Sequence, residues 1–120
     1  MDITRLSPHY AVSAQLTRDD LEHAARLGFR TIVDNRPDGE APDQPSAQAM
    51  EIAAQKLGLG FAYIPVVPGE PCTQQAVMLK QVLATMETPV LAYCRSGARS
   101  TLLWQEYCKM PPAHREPDAR

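Results

Sequence analysis

Apolar and polar positions along this chain follow two rhythms that trade places several times. "HYAVS" has the composition of a first strand, "LTRDDLEHAARLG" follows at helical spacing, and "FRTIVDN" returns to a β-rich run. "SAQAMEIAAQKLG" repeats the helical grammar before a third strand, "FAYIPV". After the loop "VPGEPC", Val77, Val82, Leu83 and Met86 recur at roughly helical spacing, and "PVLAY" supplies a fourth strand. Its unbroken apolar run suits a central strand of a parallel sheet covered on both faces. A last helix runs from about Arg99 to Met110, where Pro111 and Pro112 stop it. The alternation predicts an α/β fold with a central, mostly parallel sheet of four to five strands flanked by helices.

Capping residues sharpen the helix boundaries. Thr17 is placed as an N-cap, with Asp19 and Asp20 in the first turn where the helix dipole favours them, and Leu16 positioned to staple onto Leu21. Ser46 caps the second helix and Thr73 the third, while glycines at 28 and 58 end the first two. In a parallel sheet the loops that follow the strands emerge on one edge, where such folds bind ligands. Three loops meet there: "RPDGEAPDQP", "VPGEPC" and "CRSGARS".

With 120 residues, 44% of them apolar, the chain has material for one modest core, so residues 1–110 read as a single domain and 111–120 as a flexible tail. No run approaches the roughly 18 apolar residues of a membrane span, and "MDITRLSPHY" lacks the form of a signal peptide, which points to a cytoplasmic protein without a membrane partner. A formal charge of −2 gives no basic footprint for nucleic acid. Cys72, Cys94 and Cys108 are an odd number, which argues against a disulfide framework. His9, His23 and His114 are scattered without ligand spacing, so neither a metal nor a cofactor is expected.

The chemistry concentrates in "CRSGARS", residues 94–100. A cysteine at a strand end before a helix N-terminus feels the positive end of the dipole and nearby arginines, which favour the thiolate. Gly97 lets successive N–H groups of Ser96, Gly97, Ala98 and Arg99 turn inward as a nest for an anion, Arg99 adds a forked donor and Ser100 a hydroxyl. Arg95 points either into the pocket or to solvent. On the neighbouring loops, Arg36 is either a rim contact or a solvated turn charge, Asp38 and Glu70 are candidate proton donors, and Cys72 either resolves an adduct on Cys94 or packs as a staple.

Together, "PVLAYCRSGARSTLLW" and "YAVSAQLTRDDLEHAARLGFRTIVDNRPDGE" resemble the phosphatase-like domain of beta-lactamase-hydrolase-like proteins, a likeness that covers most of residues 1–108. The resemblance implies the dual-specificity cysteine phosphatase fold, with Cys94 as nucleophile, Arg99 as anion clamp and the Ser96–Arg99 backbone as cradle. One feature departs from the wider phosphatase pattern. Those enzymes set five residues between cysteine and arginine, and here only Arg95, Ser96, Gly97 and Ala98 intervene. A tighter ring of amides suits the terminal sulfur of a persulfide, rhodanese-like loops are similarly short, and "AYIPVVPGEPCT" offers no aspartate as general acid. These points favour a rhodanese-like sulfurtransferase that takes sulfur from a small anionic donor as a Cys94 persulfide. It would pass that sulfur to a thiol acceptor such as glutathione, with a sulfur-oxidising enzyme as a candidate partner. The alternative is a phosphatase that acts on a phosphoester through a Cys94 phosphoenzyme, and a third reading is an anion-binding module without turnover.

Overall fold

"PVLAY" does become a central strand, and the reason is visible in its packing. The computed structural model describes residues 1–111, so the tail expected at 111–120 lies, from residue 112 on, outside the described residues, as does His114. In chain order the elements are β1 (Ile3–Ser7), β2 (Tyr10–Ser13), α1 (Arg18–Arg26), β3 (Thr31–Asp34), α2 (Ala47–Lys56), β4 (Gly60–Tyr63), α3 (Thr73–Thr85), β5 (Val90–Tyr93) and α4 (Ala98–Cys108). The strands form one five-stranded sheet in the order β1-β2-β5-β3-β4. Only the β1–β2 pair is antiparallel; β5 runs parallel to both β2 and β3, and β3 runs parallel to β4.

All four residues of β5 are buried, and they alternate between two cores. Val90 and Ala92 join Tyr10, Leu79, Leu83, Leu103 and Trp104 on the face covered by α3 and α4. Leu91 and Tyr93 join Leu21, Phe29, Ile32 and Met50 on the face covered by α1 and α2. A strand apolar on both faces has no polar rhythm to show, which is why its sequence reads as a continuous run. Trp104 stacks on Tyr10 at 4.5 Å between ring centroids and ties α4 to β2.

Two expectations are corrected here. "HYAVS" forms the second strand; β1 precedes it on the sheet edge. β1 escapes a pattern search because it gives each core one apolar residue, Ile3 to one and Leu6 to the other, so no two apolar side chains repeat on a face. Thr73 is the first residue of α3 and not its cap; Cys72 holds the cap position without a side-chain hydrogen bond. The α1 cap matches its expectation: Thr17 Oγ1 accepts from the Asp20 N–H at 3.1 Å while Asp20 Oδ2 accepts from the Thr17 N–H at 2.8 Å. Among the described residues no helix is long and apolar enough to cross a membrane.

The reciprocal Thr17–Asp20 bonds set where α1 begins. Thr17→Ala should lower unfolding free energy by about 1 kcal/mol. The denaturant midpoint should fall with the slope of the transition unchanged, and an unaffected midpoint would deny the cap its role.

Candidate active site

Cys94 through Gly97 make the turn between β5 and α4, and the site grows from that turn. The Cys94 N–H donates to the Ser13 carbonyl at 3.4 Å and the Asn35 N–H to the Tyr93 carbonyl at 2.8 Å, so the ends of β2, β3 and β5 are pinned together. Gly97 is left-handed, with φ 93°, and a Cβ there would lie 3.5 Å from the Ser13 main chain. It is the left-handed conformation that calls for glycine, since a Cβ there would make only ordinary contact. This backbone turn aims the Gly97 N–H at Cys94 Sγ, which accepts it at 3.1 Å.

Cys94 is fully buried at the floor of the turn. Burial by itself would push its thiol up. The Ser100 N–H and hydroxyl, with the N–H groups of Ser96 and Arg99, outweigh burial and hold the thiol below its ordinary range. The amide ring therefore closes on sulfur with four residues between Cys94 and Arg99. Behind it, the buried Ser100 hydroxyl, which lies between Cys94 Sγ and Asn35, donates to Asn35 Oδ1 at 2.8 Å, and Asn35 Nδ2 donates to the Ile64 carbonyl at 2.9 Å.

Arg99 is held by a residue that the sequence reading passed over. Its Nη1 donates to Glu40 Oε2 at 2.7 Å and to the Val66 carbonyl at 2.9 Å, and its Nη2 donates to Glu40 Oε1 at 2.9 Å. Of five guanidinium N–H donors, this leaves the Nε–H and one on Nη2 for an anion above the loop. Glu40 Oε1 also accepts from Arg36 Nε at 3.1 Å, and Arg36 Nη1 donates to Gln15 Oε1 at 3.1 Å. The Arg99 bonds, with Arg36 beyond them, hold the Glu40 carboxyl below the usual range. Arg36 is thus buried in a charge network and is not a solvated turn charge. Its own N–H donates to Asp34 Oδ1 at 2.8 Å.

Other expected residues lie outside this network. Asp38 Oδ1 accepts from the Ala47 N–H at 2.8 Å at the start of α2. Glu70 is exposed in a turn whose N–H donates to the Val67 carbonyl at 3.2 Å. Cys72 packs half-buried against the α3–α4 core, and burial, then Glu106, pushes its thiol up. Arg95, Ser96 and Ala98 are exposed on the loop rim. Glu40, Gln15 and Asn35 were missed. The signal available for Glu40 was a carboxylate four residues after Arg36 on a rim loop.

Two predictions follow from this charge network and from the buried acid beneath it. Glu40→Gln strips two largely buried guanidiniums of their shared carboxylate and should cost about 2 kcal/mol of stability. Inorganic phosphate should restore part of that loss by supplying a replacement anion; urea midpoints with and without phosphate read both effects, and an unchanged midpoint would sink the assignment. Asp34 is buried, and desolvation outweighs the Arg36 N–H bond to raise its pKa to about 6, above the ordinary range of an aspartate. The folded state therefore binds a proton that the unfolded state has released, so this group's contribution makes stability fall as pH rises from about 4 to 6. Asp34→Asn should remove that descent, and a variant whose midpoints fall across pH 4 to 7 as steeply as wild type would contradict the assignment.

Comparisons with known proteins bear on what this site does. The model of the family "Beta-lactamase hydrolase-like protein, phosphatase-like domain" matches residues 2–107. A beta-lactamase hydrolase-like protein of Xylella fastidiosa (strain Temecula1) is 36% identical over 105 residues, which cover 87% of this chain and 24% of that protein. The chain thus spans about a quarter of the length of the curated relatives it matches. The crystal structure of a proposed phosphatase from Neisseria meningitidis Z2491 superposes with a TM-score of 0.81 at 37% identity, over 94% of this chain and 82% of that one. A kinase-associated phosphatase, 16% identical, shares the fold at a TM-score of 0.62 over 94% of this chain and 78% of its own. These matches overturn the expectation of a rhodanese-like sulfurtransferase, because the family model and the solved neighbours are phosphatase-like. The physical premise of that expectation also weakens: the four-residue spacing leaves the amide ring closed on sulfur, so loop length does not separate the two chemistries. With residues 2–107 of its 120 matched by one model, the chain belongs to the family of the beta-lactamase hydrolase-like protein, phosphatase-like domain.

Proposed function

We propose that this domain is a cysteine-dependent phosphoester hydrolase with Cys94 as nucleophile and Arg99 as clamp. The observation that carries the reading is a thiol held below its ordinary range by a ring of N–H donors, beside a guanidinium fixed by Glu40. The same donors that favour thiolate suit the equatorial oxygens of a transferring phosphoryl group. In the first step Cys94 Sγ attacks phosphorus; the S–P bond forms, the P–O bond breaks, and its electron pair leaves on the ester oxygen. Water then attacks phosphorus, releasing inorganic phosphate and the thiolate.

Substrate choice is shaped by the available acids. Glu40 is held as a carboxylate between two arginines and has no proton to give. Asp38 spends an oxygen on the Ala47 N–H at the first turn of α2. The leaving oxygen therefore departs with little help, which favours aryl phosphates over alkyl phosphates.

Three measurements test this reading. Wild type should hydrolyse 4-nitrophenyl phosphate at least about tenfold faster than phenyl phosphate, a difference of about 1.4 kcal/mol in barrier. Cys94→Ser should abolish turnover and Arg99→Lys should cost at least about 2 kcal/mol, roughly 30-fold in kcat/KM, because a point charge cannot replace the fork. Acid quench should trap phosphate on Cys94. Wild type that releases no phosphate from either ester would overturn the proposal.

A further inference from the structure

Two grooves flank the Cys94 loop, and their linings differ in charge. The first, about 470 Å³, runs between β1, β2 and the Ser96–Ala98 backbone, and the only charged residue in its lining is Asp2. The second, about 420 Å³, opens on the other side of the loop and is lined by Gln15, Thr17, Arg36, Asp43, Gln44 and Arg95, among others. Two guanidiniums there face one carboxylate. A volume of that size suits a small ligand.

The second groove is wired to the clamp. Glu40 Oε1 accepts from Arg36 Nε at 3.1 Å and from Arg99 Nη2 at 2.9 Å, so these two guanidinium nitrogens lie within about 6 Å of each other, the sum of the two bonds. One carboxylate shared by two guanidiniums links the Cys94 loop to the groove through a single pair of bonds. Arg36 is rigidly placed there: its side chain is only 7% exposed, and Gln15 takes another of its donors. Arg95, by contrast, is exposed and is the residue immediately after the nucleophile.

We infer that this groove is a second anion subsite, built by Arg36 and Arg95, and that the substrate is a small phosphoester carrying a second anionic group on its leaving-group side. The inference rests on the phosphatase reading for its first anion, the phosphoryl group over Cys94. The second anion, a carboxylate or another phosphate, sits a few bonds away, matching the short separation of Arg99 and Arg36. Arg36 supplies a fixed, largely desolvated charge, and Arg95 closes over the ligand from the rim. Selectivity for such substrates arises because a neutral group in that position gives the exposed Arg95, and the Arg36 donors not already taken by Glu40 and Gln15, no anion to bind.

The test separates binding from turnover. 3-Carboxyphenyl phosphate and its neutral analogue 3-carbamoylphenyl phosphate are titrated calorimetrically against Cys94→Ser, which binds without reacting. The carboxylate probe should bind at least about tenfold more tightly, with a preference that shrinks as salt is raised. Adding Arg95→Gln should cut the preference to below about threefold, and Arg95→Lys should restore part of it, which a merely structural role for Arg95 would not do. Equal binding of the two probes, or a preference that survives both Arg95→Gln and Arg36→Gln, overturns the subsite. Failure of wild type to hydrolyse either probe would count against the hydrolase reading alone, because the binding comparison stands without turnover.

Discussion

Glu40 holds the catalytic side of this molecule together through a single carboxylate that three loops depend on. It comes from the loop after β3, it grips Arg99 from the start of α4, and Arg99 in turn reaches the Val66 carbonyl after β4. Arg36 and Gln15 extend the chain of contacts to the loop after β2. Glu40 keeps part of its side chain in contact with solvent, while the two guanidiniums it pairs are largely desolvated and lean on it for their charge. Arg99 cannot leave its rotamer without giving up both Glu40 oxygens and the Val66 carbonyl.

Loop length was a poor guide to chemistry for a related reason. One residue fewer between Cys94 and Arg99 suggested a ring too tight for a phosphoryl group. In the folded chain Gly97 is left-handed, and the N–H groups converge on sulfur with four residues in between. Counting residues measures contour, whereas a nest is defined by the directions of its N–H vectors. The family and the solved neighbours then place the chain among phosphatase-like proteins.

Much of the fold was legible because it is written in local periodicity. The capped starts at Thr17 and Ser46, the two-faced β5 and the strand–helix alternation all rest on residues close in sequence. Cys94 and Arg99, proposed as nucleophile and clamp, were legible for the same reason, lying five residues apart on one turn. What could not be read was long-range: the Glu40–Arg99 pair spans 59 residues and the Ser100–Asn35 pair 65. β1 was hidden because an edge strand that feeds one apolar residue to each core has no rhythm. Asp38 and Glu70 drew attention as acids on rim loops, yet one is occupied by the first turn of α2 and the other lies exposed in a turn.

Ser100 has one hydroxyl proton and two neighbours that can receive it, Asn35 Oδ1 and Cys94 Sγ. When sulfur is a thiolate, the proton is drawn toward it; when sulfur carries a hydrogen or a covalent adduct, Asn35 is the better acceptor. Asn35 is anchored by its other end to the Ile64 carbonyl and cannot follow the proton. The Ser100 hydroxyl thus joins the charge on sulfur to a side chain fixed at the end of β3. A change of charge at Cys94 is felt one strand away through a single proton.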